Sequence, residues 1–190
     1  MEKKGIAADS SFFICYADDI NQCDMLYNFV KLYDIYIGEK ILDETKKIFN
    51  KLNLLSSINV INVRYYELIK PFFGRNQKHL CDGEYEAIGI SLYLYDKNIL
   101  KFLIIDDKTP KKFVMNHFPE LTQFLVGNIG FIKTCCLIDK TISKDEALKI
   151  LEAIKENIGK IKEKRPCSMS LKDRDTILIP IIEIIKGENV

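Results

Sequence analysis

The chain has 190 residues, of which 47% are apolar and 29% charged, with 28 basic and 27 acidic side chains. That length allows one main domain with an extension and a core large enough to need no disulfide or structural metal, and that composition excludes extended disorder. The formal net charge of +1 excludes a global attraction to nucleic acid, so any such binding must come from a local patch.

Six cysteines stand at 15, 23, 81, 135, 136 and 167. None forms a Cys-x-x-Cys pair or a Cys/His cluster suited to zinc, and buried free thiols explain the neighbours Cys135 and Cys136. No eighteen-residue apolar run exists to span a bilayer, and Met1-Glu2-Lys3-Lys4 is followed by no signal-peptide core. The expectation is a protein of a reducing cytoplasm with no membrane partner.

In chain order, Gly5 to Ala8 is a short buried strand stopped by Asp9, and Phe12 to Tyr16 continue as the first turns of a helix. A helical pattern over Cys23 to Tyr33 leads to the strand Asp34–Ile37, broken by Gly38. From Glu39 a helix runs towards Leu52, with Ile41, Leu42, Thr45, Ile48 and Phe49 inward. Ile58 to Val63 is a third strand, and Tyr66 to Phe73 a helical segment interrupted by Pro71 and ended by Gly74.

The stretch from Asp82 to Asp107 organises the rest. Tyr85, Ile88, Leu92 and Tyr95 recur with the spacing of one buried helix face, and Phe102 to Ile105 is an apolar strand ending in two carboxylates. Thr109-Pro110 starts a helix with proline at its first position. Leu121 to Val126 is a fifth strand, with Gly127 and Gly130 flanking the turn into Phe131, Ile132 and Leu137. Ser143-Lys144-Asp145-Glu146 is a capping box opening a helix to about Ile158. Lys160 to Arg165 reads as an exposed helix end or linker, and Leu171 to Ile185 as an amphipathic helix kinked at Pro180.

Strands and helices alternating at crossover spacing predict a mostly parallel sheet covered on both faces. Ligands of such sheets bind outside the carboxyl ends of the strands. Asp9, Glu44, Glu84, Glu86, Asp106 and Asp107 all fall near that edge. Carboxylates without histidine or cysteine suit Mg²⁺ or Mn²⁺, ions used in phosphodiester hydrolysis. Taken singly, each acid has a plainer role: Asp9 as a helix cap, Glu44 as a solvated residue, Glu84 as a partner of the helix dipole, Asp106 or Asp107 as a cap. An aspartyl phosphatase fits less well, because Asp9 is followed by Ser10-Ser11 rather than by a second aspartate two residues on.

Four motifs in order, Ile6-Ala7-Ala8-Asp9-Ser10-Ser11, Ile41-Leu42-Asp43-Glu44, Gly83-Glu84-Tyr85-Glu86-Ala87-Ile88 and Leu103-Ile104-Ile105-Asp106-Asp107, resemble the PIN-domain ribonucleases. The likeness is to their prokaryotic, toxin-like branch, and Val126-Gly127-Asn128-Ile129-Gly130 resembles that branch's strand-to-helix turn. The resemblance implies a three-layer α/β/α fold with a central, mostly parallel five-stranded sheet, as a PIN-like catalytic domain over 1–138 and a helical C-terminal extension over 139–190.

It also implies an acidic pocket holding Mg²⁺ or Mn²⁺, with Asp9, Glu44, Glu86 and Asp107 as catalytic residues. Ligation falls to Asp9 with Glu84 or Glu86 and with Asp106 or Asp107, both choices open. Ile105 departs from the serine or threonine that many members carry there. The implied activity is endoribonucleolytic cleavage of RNA, expected to be single-stranded. From their place at the rim, Ser10, Lys108, Lys111 and Lys112 are the candidate substrate contacts, and a solvated helix face explains the lysines equally well. A small antitoxin partner goes with the toxin-like branch. A PIN-like scaffold that binds RNA or protein without cleaving is the alternative. The two tail helices carry apolar faces expected to pack on the domain or to build a homodimer interface.

Overall fold

Gly5–Ala8 forms β1, buried along its whole length, as suits a strand covered on both faces of a parallel sheet. The computed structural model describes residues 4–64, 66–73, 82–158, 167 and 169–187. Among them β1 is joined by β2 (Asp34–Ile37), β3 (Asn59–Val60), β4 (Leu100–Ile104) and β5 (Leu125–Val126) in one sheet of order β3-β2-β1-β4-β5. Every pairing is parallel, with Ala7 opposite Tyr36 on one side and Leu103 on the other. The chain therefore winds outward from β1 through β2 to β3, then crosses back to β4 on β1's other flank. The boundary between β1 and β4 is the topological switch point.

Helices complete the expected three layers. Helix α5 (Gly83–Asp96) lies on β1, β2 and β4, while α2 (Cys23–Leu32) lies on β2 and α7 (Asn128–Leu137) on β4 and β5. Between β1 and α2 come α1 (Ser10–Ile14) and a wide π-helical turn, Cys15–Asp19. Helix α3 (Glu39–Leu52) packs on α1, α4 (Tyr66–Ile69) on α5, and α6 (Lys108–His117) on α5. Phe12, Tyr16, Phe29 and Phe131 meet edge to face between α1, the π turn, α2 and α7, with Phe12–Phe131 centroids 5.8 Å apart. Such contacts contribute roughly 0.5–1.5 kcal/mol each beyond the buried area.

The tail is helical. Helix α8 (Lys144–Asn157) opens on the expected capping box, the Glu146 amide donating to Ser143 Oγ at 3.2 Å and the Ser143 amide to Glu146 Oε2 at 2.8 Å. After α9 (Leu171–Asp173) a second π-helical turn leads into α10 (Ile179–Lys186). Helices α8 and α10 pack on each other and on α7. No described helix is long and apolar enough to cross a membrane.

Several details differ from expectation. Residues 119–124 form 3-10 turns, leaving only Leu125–Val126 as strand. Pro110 is the third residue of α6 rather than its first, a position whose amide also lacks an intrahelical partner. Pro180, where a kink is expected, follows directly on the π turn Arg174–Leu178 within a continuous helical segment. Tyr95 is exposed whereas Leu94 is buried, because α5 is surrounded along most of its length rather than on one stripe. Gly74 and Lys160 to Arg165 lie outside the described residues.

Candidate functional site

Asp9 is the residue after β1. Its extended backbone (φ −75°, ψ 175°) makes it the N-cap of α1, and its Oδ1 accepts the Phe12 amide at 3.3 Å and the Ser11 hydroxyl at 2.5 Å. It is only 2% exposed. Burial, reinforced by the charges of Asp106 and Glu84 and only partly offset by Ser11 and the Phe12 amide, pushes its pKa up to about 8.

Asp106 lies across the switch point, two residues beyond β4. Asn128, the first residue of α7, holds it with both donors, the backbone amide reaching Oδ1 at 2.9 Å and Nδ2 reaching Oδ2 at 2.6 Å. Burial still raises its pKa above the usual range, although Asn128 and Lys111 oppose the shift. The Ser11 hydroxyl also lies 3.5 Å from Asp106 Oδ2. Asn128 Oδ1 is itself buried without a hydrogen-bond donor among the described residues.

Two further acids complete the field. Glu84, in the first turn of α5, is raised by burial and then by Asp107, Asp82 and Glu44. Asp107 is exposed at the N-cap position of α6, with no side-chain capping bond. Glu44 is exposed on α3, yet its Oε2 comes within 2.9 Å of where a Cβ on Gly83 would stand.

Glu86 has a different task. Its two oxygens accept the Lys40 amide at 3.1 Å and the Ile41 amide at 2.9 Å, closing the start of α3. A Cβ on Gly38 would overlap this carboxylate, so the glycine makes room for it. Burial outweighs these donors and leaves Glu86 above its usual pKa. Of the two glutamates, it is Glu84 that stands in the electrostatic field of Asp9 and Asp107. Of the two aspartates, Asp106 is the one buried beside Asp9.

The basic residues divide in the same way. Lys111 Nζ lies 2.9 Å from the point where a Cβ on Gly127 would sit, a point 2.7 Å from Asp106 Oδ1. Lys108 Nζ pairs with Asp173 Oδ1 at 3.1 Å. Together with Asp106, Asp173 and Met169 they line a cavity of about 240 Å³ between the sheet edge and the tail. Lys112 is exposed, and Ser10 is half-buried beside Ser11. Ser11 and Asn128, present in the quoted motifs but given no site role from the sequence, are the hydrogen-bonding partners of the two buried aspartates. Their clue is positional: one follows a strand-ending aspartate by two residues, the other follows a glycine in a strand-to-helix turn.

Among the described residues, no three histidine, cysteine or acidic side chains stand grouped so as to hold a metal ion. The donor chemistry nonetheless suits a hard cation. All the candidate ligands are oxygens, and burial, with the charges of Asp106 and Glu84, raises Asp9 to about 8. The chain matches no family model, no curated protein and no solved structure.

Proposed function

We propose that this protein is a divalent-cation-dependent phosphodiesterase acting on single-stranded RNA. The observation that carries the reading is the pairing of Asp9 and Asp106 just beyond the ends of the adjacent parallel strands β1 and β4 at the switch point, with Asp9 raised to about 8 by burial and by neighbouring acids. Strongly perturbed acids in such a crevice mark functional sites more often than chance. RNA as the substrate rests on the resemblance of the four acidic motifs to PIN-domain ribonucleases.

Asp9 and Asp106, the buried pair bridged by Ser11, would hold Mg²⁺ or Mn²⁺, with Glu84 and Asp107 adding negative charge around them. Such an ion, when bound, polarises a phosphoryl oxygen and lowers the pKa of a water. The chain's own groups then have separate tasks. Asp9 holds a proton at its carboxyl below about pH 8 and releases it as a cation binds. Ser11 fixes the rotamer of Asp9, and Asn128 that of Asp106. Lys111 offers an ammonium to a phosphate entering over Gly127. Glu86 holds α3 and takes no part in the chemistry.

The test is incubation of the full chain with a 5′-labelled single-stranded RNA in Mn²⁺ or Mg²⁺, with and without chelator. Expected are cleavage lost on chelation and in Asp9→Asn, and 5′-phosphate product ends. No cleavage with either ion would overturn the hydrolase reading. The second reading, a scaffold that binds RNA without cutting it, draws on Asp106, whose two oxygens are both taken by Asn128. RNA binding with no cleavage under the same conditions would favour it.

A further inference from the structure

Cys15 and Cys167 are 152 positions apart, yet their sulfurs lie 3.3 Å from each other. Cys15 opens the π turn after α1, six residues beyond Asp9, and is fully buried. Cys167 belongs to the tail and forms part of the wall of the cavity that also holds Asp106 and Lys111. Both are free thiols. Nothing in the proposed phosphodiesterase chemistry uses either of them.

We propose that Cys15 and Cys167 are an oxidation site: a peroxide converts them to a disulfide that ties the tail to the segment following the buried aspartate. A sulfur–sulfur bond is about 2 Å long, so from 3.3 Å the two sulfurs must approach by about 1 Å for the bond to form. Contact with Cys15, then burial, raises the Cys167 thiol well above its usual pKa. Cys167 therefore rests as a thiol and reacts slowly by comparison with an activated cysteine. Two features offset this. The cavity gives a small neutral oxidant a route to Cys167, and the second thiol is already in place, which makes the closing step intramolecular.

The chemistry balances with the peroxide as sole oxidant. Cys167 sulfur, on losing its proton, attacks one peroxide oxygen, the O–O bond breaks, and the leaving oxygen takes the proton away as water. Cys15 sulfur then attacks the resulting sulfenic acid. Its proton joins the departing hydroxide, and a second water leaves as the S–S bond forms. The two sulfurs lose two electrons in all, and the peroxide gains both.

The other described cysteines provide the internal control. Cys135 and Cys136 are adjacent and buried on α7, and Cys135 is already in hydrogen-bonding distance of Tyr33 Oη at 3.5 Å. Adjacent cysteines on one helix do not face each other. Cys23 is half-buried at the start of α2.

The experiment treats the reduced full chain with hydrogen peroxide, alkylates the remaining thiols, and maps disulfides by peptide mass spectrometry without reduction. The expected product is one intramolecular Cys15–Cys167 link. The oxidised protein should melt at a higher temperature than the reduced one, because the cross-link restricts the unfolded chain. Dithiothreitol should reverse the gain, and Cys167→Ser should not show it. Recovery of Cys15 and Cys167 as alkylated thiols, or their oxidation separately to sulfinic acids, would overturn the proposal. So would a dominant link to any other cysteine. The wild-type map decides the matter even if the serine variant does not fold. RNA cleavage is not a readout, so failure of the phosphodiesterase reading leaves this result unaffected.

Discussion

The Ser11 hydroxyl lies 2.5 Å from Asp9 Oδ1 and 3.5 Å from Asp106 Oδ2, bridging two carboxyls that leave neighbouring strands at the same edge of the sheet. The backbones are tied as well, the Asp9 amide donating to the Ile104 carbonyl at 3.1 Å. Neither aspartate can retreat into solvent without breaking the start of α1 or the Asn128 contacts. Their repulsion is therefore fixed in place, and a proton or a cation must balance it.

This makes stability depend on pH in a stated direction. The Asp9 carboxyl has an ordinary value of 3.8 and is raised to about 8 in the folded chain. Between those values the folded state holds a proton that the unfolded state has lost, so this contribution is fully present below about pH 4. It declines as pH rises and is gone above about 8, at a rate of at most about 1.4 kcal/mol per pH unit. Melting temperatures from pH 5 to 9 should show the decline in wild type and a flatter profile in Asp9→Asn. Asparagine keeps the N-cap, so the variant should remain folded, lose metal-dependent cleavage, and show a weaker rise in melting temperature on adding Mn²⁺.

Glu84 and Glu86 should separate cleanly. Glu86→Ala removes two acceptors from the start of α3 and should cost about 1–3 kcal/mol in denaturant unfolding. Glu84→Gln removes a half-buried charge from an acidic field and should leave stability equal or higher. Cleavage assays should show the opposite ranking, with the folded fraction of Glu86→Ala active and Glu84→Gln strongly impaired.

Gly127→Ala probes the rim. The new methyl would stand 2.7 Å from Asp106 Oδ1 and 2.9 Å from Lys111 Nζ. Lys111 can swing away, but Asp106 is pinned by Asn128. The expected result is a loss of about 1–3 kcal/mol and a fall in RNA affinity, measured by anisotropy, larger than that of Lys112→Ala.

Removing the tail after Leu137 should not leave a well-behaved domain. Ile150, Leu151 and Ile154 of α8 and Ile182 and Ile185 of α10 are buried, and their loss uncovers apolar surface on α7. Size-exclusion chromatography should show aggregation or much reduced soluble yield. A soluble, monomeric and fully active truncated chain would contradict this.

Much of the framework was legible along the chain. Continuous apolar runs at Ile6–Ala8 and Phe102–Ile104 announce strands buried on both faces, and Ser143 with Glu146 announces the start of α8. These signals are local, because each depends on residues within about one turn or one strand of each other. The crowding of acids at the carboxyl edge was also legible, since in a parallel sheet every strand end and following helix start shares that edge. The fifth strand was legible in position but not in length, because residues 119–124 turn as 3-10 helix and only Leu125–Val126 pair with β4.

What the sequence by itself determined is the inventory: which acids end strands or open helices, and that no imidazole or thiol set competes with them as ligands. Tertiary structure alone decided how those acids divide. Glu84 and Glu86 are two residues apart on one helix, about 200° around its axis. One meets Asp107 and Asp9, and the other meets the amides of α3. Asp106 and Asp107 are adjacent, yet one is sealed beneath Asn128 and the other is exposed at the start of α6. Neighbours along the chain leave a helix or a strand end in different directions, and only the element packed against each side chain determines whether it becomes a cap, a buried acid or an exposed one.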